Sequence, residues 1–156
     1  EALNLDMNQY LTFSLNEETF GVDVLQVREV MDYTAVTKVP RSPDYMLGVI
    51  NLRGSVVPVV DLKKKFAMPA SDISRDSCIV VLEICFGDDQ LLIGALADGV
   101  QEGLDLLEDQ IEPAPRLGTG LNADFILGMG KVKEAFVILL DLQKIFTSEE
   151  LETLVD

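Results

Sequence analysis

"GVINLRGSVVPVVDL", residues 48–62, is the most strand-like stretch of the chain, yet it holds Arg53 between Leu52 and Gly54, and Pro58 inside a valine run. Asn51-Leu52-Arg53-Gly54 reads as a hairpin turn with Gly54 at positive φ. Proline has no N–H to give a ladder, so Pro58 belongs on an edge strand or at a bulge, where one side of its strand is left open for docking. The decisive feature is an echo. "VPVVDLKKKF" (57–66) aligns with "VILLDLQKIF" (137–146), eighty residues on, and the same offset sets Gly48 on Gly128 and Arg53 on Lys133. A second offset, seventy-three, sets Gly21 and "VREV" (27–30) on Gly94 and "VQEG" (100–103). Two units, about 10–66 and 77–146, suggest a mostly β protein of two small barrels, since closure removes edge strands. Which strands cross between the barrels stays open.

Around this repeat the chain is strand-rich. "YLTFSL" (10–15) and "TFGVDV" (19–24) alternate, placing Leu11, Phe13, Leu15 and Phe20, Val22, Val24 on inward faces. "SCIVVLEICF" (77–86) and "QLLIGALAD" (90–98) form another pair. "SPDYML" (42–47) reads as a helical turn capped by Ser42. Asp61 caps a turn that sets Leu62 and Phe66 on one side. "EPAPRLGTGLN" (112–122) is a loop. Thr147 and Glu150 form a capping box that opens a C-terminal helix over 147–155.

Composition removes several functions. Twelve basic and 27 acidic residues give a net charge of −15, and the only basic cluster is Lys63-Lys64-Lys65, so nucleic acid and anionic membrane are poor partners. No apolar run reaches the roughly 20 residues of a membrane helix. The chain has no histidine, which takes away the commonest general base and metal ligand. Cys78 and Cys85 lie on opposite faces of one strand, which fits buried reduced thiols in a cytoplasmic protein. No catalytic residue, metal site or cofactor is expected. The sequence points to a binding module. A small acidic hydrolase or ligand-binding double barrel is the alternative, and a deep pocket with convergent carboxylates would mark it.

Three segments, "YLTFSLNEETFGVDVLQVREVM", "VPRSPDYMLGVINLRGSVVPVVDLKKKF" and "LADGV", resemble the CheW-like family of bacterial chemotaxis coupling proteins, over residues 9 to 155. The resemblance implies two five-stranded SH3-like barrels and an adaptor rather than an enzyme. It implies two partners, the cytoplasmic tip of a transmembrane chemoreceptor and the regulatory domain of the histidine kinase CheA, in arrays at the inner face of the membrane. A CheW-like regulatory domain of a larger signalling protein is the variant within the same family.

A receptor tip is a helical hairpin, so an apolar groove should hold it. If Glu83 faces solvent, Ile79 and Val81 share its outward face, while Val80, Leu82 and Ile84 face the core. Either the second barrel or a partner must then cover Ile79 and Val81. The resemblance places Val27, Glu29, Ile79, Val81 and Val100 at or near the receptor groove. It places Gly48, with Asn51, Arg53 and Gly54 of the turn, at the kinase contact. Arg53 should pair with a carboxylate on a neighbouring strand, and Glu29 is the best candidate.

Overall fold

The computed structural model of the protein describes residues 7–70, 72–113, 123–133 and 135–155. Most of the loop expected at 112–122 lies outside them, as does Glu134. The elements run β1 (Met7–Leu15), β2 (Glu18–Asp23), β3 (Val27–Asp32), β4 (Met46–Leu52), β5 (Ser55–Val60), α1 (Leu62–Lys65), β6 (Cys78–Phe86), β7 (Asp89–Ala97), β8 (Gly99–Leu107), β9 (Ile111–Glu112), β10 (Ile126–Val132), β11 (Ala135–Leu140), α2 (Leu142–Ile145) and α3 (Ser148–Val155). The expected helical turn at 42–47 is a single tight turn, closed by the Met46 N–H on the Pro43 carbonyl at 3.0 Å. Ser42 does not cap it, because its hydroxyl donates backward to the Val39 carbonyl.

The fold is mostly β. Two sheets form, ordered β8-β1-β2-β11-β10-β9 and β3-β6-β7-β5-β4. Neither ladder closes on itself among the described residues, and the first sheet has six strands where five were expected. Its sixth, β9, contributes two residues, with Glu112 opposite Met129. In the other sheet the same place is taken by one bridge, Thr37 to Val49. Each sheet draws on both halves of the chain. Hairpin β1–β2 sits with β8–β11, and hairpin β6–β7 with β3–β5. Parallel pairs close the arrangement, Gly21 against Leu139 and Gly94 against Val59.

The alternation of the strands sorts side chains into three cores. The largest gathers Phe13, Leu15, Phe20 and Val22 from one sheet with Val80, Leu82, Ile84 and Ile93 from the other, together with helix residues such as Leu62 and Leu142. Each sheet also has a small core of its own. Ile50, Val57, Val59, Ile79 and Val81 form one, and Tyr10, Leu106, Val137 and Leu139 the other. Strand β6 is therefore apolar on both faces, as a strand covered on both sides must be. Its ends differ, since Cys78 is buried and Cys85 exposed, both as free thiols. The expectation of two buried thiols fails at Cys85.

Asp61 and Asp141 each cap a one-turn helix, accepting from the N–H of Lys63 at 3.0 Å and of Gln143 at 3.2 Å. Lys63 is buried and bonds Asp98 at 2.8 Å. Asp98 also accepts the Asn16 N–H, which ties the β1–β2 turn to the end of β7. A second charged knot lies at α3. The Glu150 carboxylate takes both its oxygens to the Lys65 ammonium at 2.9 Å and accepts the Thr147 N–H at 2.8 Å. The Thr147 hydroxyl accepts the Glu150 N–H in return, which completes the expected capping box.

This knot makes stability depend on pH at both ends. Burial pushes the Glu150 carboxyl up, but the Lys65 hydrogen bond, the Thr147 groups and the Lys65 charge together outweigh it and hold the acid below its ordinary 4.5. Burial first, then the Glu150 and Asp44 carboxylates, pushes the Tyr45 phenol from 10.0 up to about 12. A depressed acid adds stability that is complete above its unfolded value and drains as pH falls through the native one. A raised phenol adds stability that is complete below 10.0 and drains as pH climbs toward about 12. The thermal midpoint should fall on both flanks of a plateau at about pH 6 to 9. Lys65→Met should flatten the acid flank in melts recorded from pH 3 to pH 6, and an unchanged acid flank would contradict this assignment.

Candidate functional site

The β4–β5 hairpin turns on Leu52-Arg53-Gly54-Ser55, one residue beyond the expected turn. Arg53 (φ 53) and Gly54 (φ 89) are both left-handed, the conformation that matches the twist of a two-residue hairpin. Glycine adopts it freely, whereas arginine pays about 1 kcal/mol. Lys133, eighty residues on, has φ 57, so both hairpins put a cation where glycine or asparagine would be easier. The Asn51 Oδ1 accepts the Gly54 N–H at 2.8 Å. Asn51 thus fixes the turn from which Arg53 projects.

Arg53 meets the expected partner. Its guanidinium lies 2.7 Å from the Glu29 carboxylate, with the Arg53 side chain 77% exposed. The cause lies in β3, whose register against β6 shifts between Val27 and Glu29. Such a bulge re-aims the residues beside it. Arg28 turns to Glu83 at 3.1 Å, and Glu29 turns to the hairpin. A pair this exposed adds about 0–1 kcal/mol, so its effect is to orient the guanidinium.

The other expected residues fall into different environments. Val27 and Val100, related by the offset of seventy-three, are both half-buried and lean on the central core. Ile79 and Val81 depart from the expected outward face. Both are 0% exposed, packed against Ile50, Val57 and Val59. Glu83 does reach Arg28, but two residues away the β4–β5 hairpin covers the same face of β6. The cover is therefore the chain itself, and neither residue is open to a partner.

Sequence reasoning missed the most exposed large apolar side chain among the described residues. After β2 the chain enters a 3-10 turn, Val24–Gln26, capped by the Asp23 carboxylate on the Leu25 N–H at 2.9 Å. Leu25 is 85% exposed and Val24 is exposed beside it. The turn touches β1 of one sheet and β6 of the other, so Leu25 stands over the seam between the sheets. The alternation over residues 19–24 puts Val24 inward at the end of a strand, whereas β2 ends at Asp23. The cue against that was Asp23, a capping residue placed directly before two apolar ones.

Gly48 is buried at a register shift in β4. A side chain there would run into the Thr37 backbone carbonyl. Gly48 therefore lets the Thr37 segment bridge to Val49, and it offers a partner no side-chain surface. Pro58 is not on an edge strand, because β5 lies between β7 and β4. It faces Val49 of β4, and the ladder to β7 starts only at Val59. Below that fork, Ser55–Pro58 and Gln90–Ile93 line a cleft of about 230 Å³. Val56 at its mouth is 73% exposed.

A family model for the CheW-like domain matches residues 9–150. The chain belongs to the CheW-like family. Among curated CheW-like relatives, "Chemotaxis protein CheW" of Klebsiella aerogenes is 40% identical over 143 residues, covering 92% of this chain and 84% of the relative. "Probable chemotaxis protein CheW" of Rhizobium etli is 31% identical over 152 residues, covering 97% and 96%. The crystal structure of the scaffolding protein TtCheW from Thermoanaerobacter tengcongensis superposes with a TM-score of 0.81 at 35% identity, covering 92% and 94%. As a CheW-like protein the chain is a chemotaxis adaptor and not an enzyme. Among the described residues no three His, Cys, Asp or Glu side chains are grouped to hold a metal ion, and no helix is long and apolar enough to cross a membrane.

Proposed function

We propose that this adaptor couples the cytoplasmic tips of transmembrane chemoreceptors to the histidine kinase CheA, in cytoplasmic arrays beneath the membrane. A receptor helix lies along the seam between the sheets, over Val24, Leu25, Val27 and Val100. The kinase regulatory domain docks on the β4–β5 hairpin, which offers Val56, the Asn51–Gly54 turn and Arg53. Glu29 stands between the two surfaces and steadies Arg53 for the second. Gly48, Ile79 and Val81 support these surfaces from beneath. The observation that carries the reading is Leu25, 85% exposed on a capped turn astride the seam. Fully exposing a leucine forgoes roughly 1.5–3 kcal/mol of burial, and a helix laid across it would recover that. The offset equivalences also support a duplicated unit whose two copies have exchanged their first hairpins.

The test is capture by a receptor cytoplasmic fragment and by the kinase regulatory domain, each assayed separately. Leu25→Asp should lose the receptor fragment by about tenfold or more and keep the kinase domain. Binding of the unsubstituted protein to neither would sink the coupling role. Equal loss of both partners in Leu25→Asp would sink the division into two surfaces.

A further inference from the structure

Lys65 occupies a place where an apolar residue would serve. Ile145, eighty residues on, is 1% exposed in the central core and carries no charge. The Lys65 ammonium lies 4.9 Å from the Tyr45 ring centre, 5.1 Å from that of Phe146 and 6.0 Å from that of Phe125. The rings come from both halves of the chain. Tyr45 precedes β4 and stacks obliquely on Phe146 after α2, while Phe125 precedes β10 and meets Phe66 after α1. The fourth wall is Glu150 of α3. Rings and carboxylate together form the kind of box that recognises a cation. Here the occupant is the chain's own lysine, and the wall that completes the box belongs to its last helix.

Taking an ammonium and a carboxylate out of water costs more than burying an isoleucine, and such pairs serve position better than stability. Helix α3 is also held elsewhere. Leu151 is buried in the central core, and the Thr147 exchange closes the first turn. Eight residues of helix do not hold themselves in water. The buried Tyr45 hydroxyl finds no well-formed hydrogen bond among the described residues.

We propose that α3 is a clasp. The contact between Lys65 and Glu150 is its catch, and undocking of α3 is a discrete local opening that bares the aromatic box while both sheets stay folded. Because the box gathers rings from both halves, the opening also loosens the junction where the two halves meet.

The test is native-state hydrogen exchange on the full chain, followed peptide by peptide, for the unsubstituted protein, Glu150→Gln and Lys65→Met. The expected result is exchange at least tenfold faster across 148–155 in both variants, with unchanged exchange in β6 and β7 at the centre of their sheet. Lys65→Met separates a catch from a packing role. Methionine fills the box without the charge, so a packing role predicts normal protection of α3 in this variant, whereas a catch predicts its loss. Unchanged protection of α3 in both variants overturns the proposal. So does a loss that runs in parallel through α3, β6 and β7, since that would be global unfolding.

Discussion

Gly48→Ala should lower the thermal midpoint by roughly 6–12 °C, the equivalent of about 3 kcal/mol in a chain of this size. The added methyl group meets the Thr37 backbone carbonyl, which unlike a side chain has no rotamer to escape into. Relief requires breaking the paired bonds between Thr37 and Val49, at 2.9 and 2.8 Å. Gly54→Ala is the control. Gly54 has the same left-handed need, with φ +89, but open space around it, so its cost should stay near 1 kcal/mol. If the proposed kinase contact ran through Gly48 itself, Gly48→Ala would weaken binding even when corrected for the folded fraction. A buried supporting glycine predicts normal affinity in that fraction. Equal melting shifts for the two alanines would overturn the steric account.

Arg53→Glu should weaken capture of the kinase regulatory domain by about 30-fold or more, since arginines at interface centres are commonly worth 2 kcal/mol or beyond. The midpoint should move by less than about 2 °C, because an exposed pair holds little folding energy. Two further variants isolate the cause. Arg53→Asn suits the left-handed turn better than arginine does, so its midpoint should stay level or rise while binding still falls. The exchange Glu29→Arg with Arg53→Glu restores the internal pair but inverts the charge offered to a partner. Restored binding in that double variant would mean that the pair only shapes the turn and that no partner reads the guanidinium.

The elements that local chemistry decides were legible beforehand. The aspartate ahead of Leu62 made a one-turn helix, Thr147 with Glu150 made a capping box, and Arg53 found Glu29. What was lost depended on which surface the rest of the chain would cover. Glu83 marks a solvent face only at its own end of β6, because burial changes along that strand. The apolar run of both parities from Cys78 to Leu82 was the better guide, because only a strand between two cores reads that way. Leu25 was hidden by the opposite error, an alternation extended one step past its capping aspartate. Pro58, expected on an edge or at a bulge with one side of its strand open, lies on an inner strand, but its segment is indeed unpaired toward β7. A fork between two parallel strands meets the same need, and no local pattern announces it.

The traffic of hairpins between the sheets bears on how the molecule comes into being. Phe20 lies beside Ile138, and Tyr10 beside Leu104, so hairpin β1–β2 leaves a ribosome roughly a hundred residues ahead of the strands it must pair with. Pairings so distant in sequence form slowly, and the waiting edges are exposed to the wrong partners. Neither half can rehearse its final sheet alone. A fragment ending before β10 should therefore behave as an aggregation-prone intermediate and not as a smaller working domain, which makes late-chain truncation as damaging to the first strands as to the last.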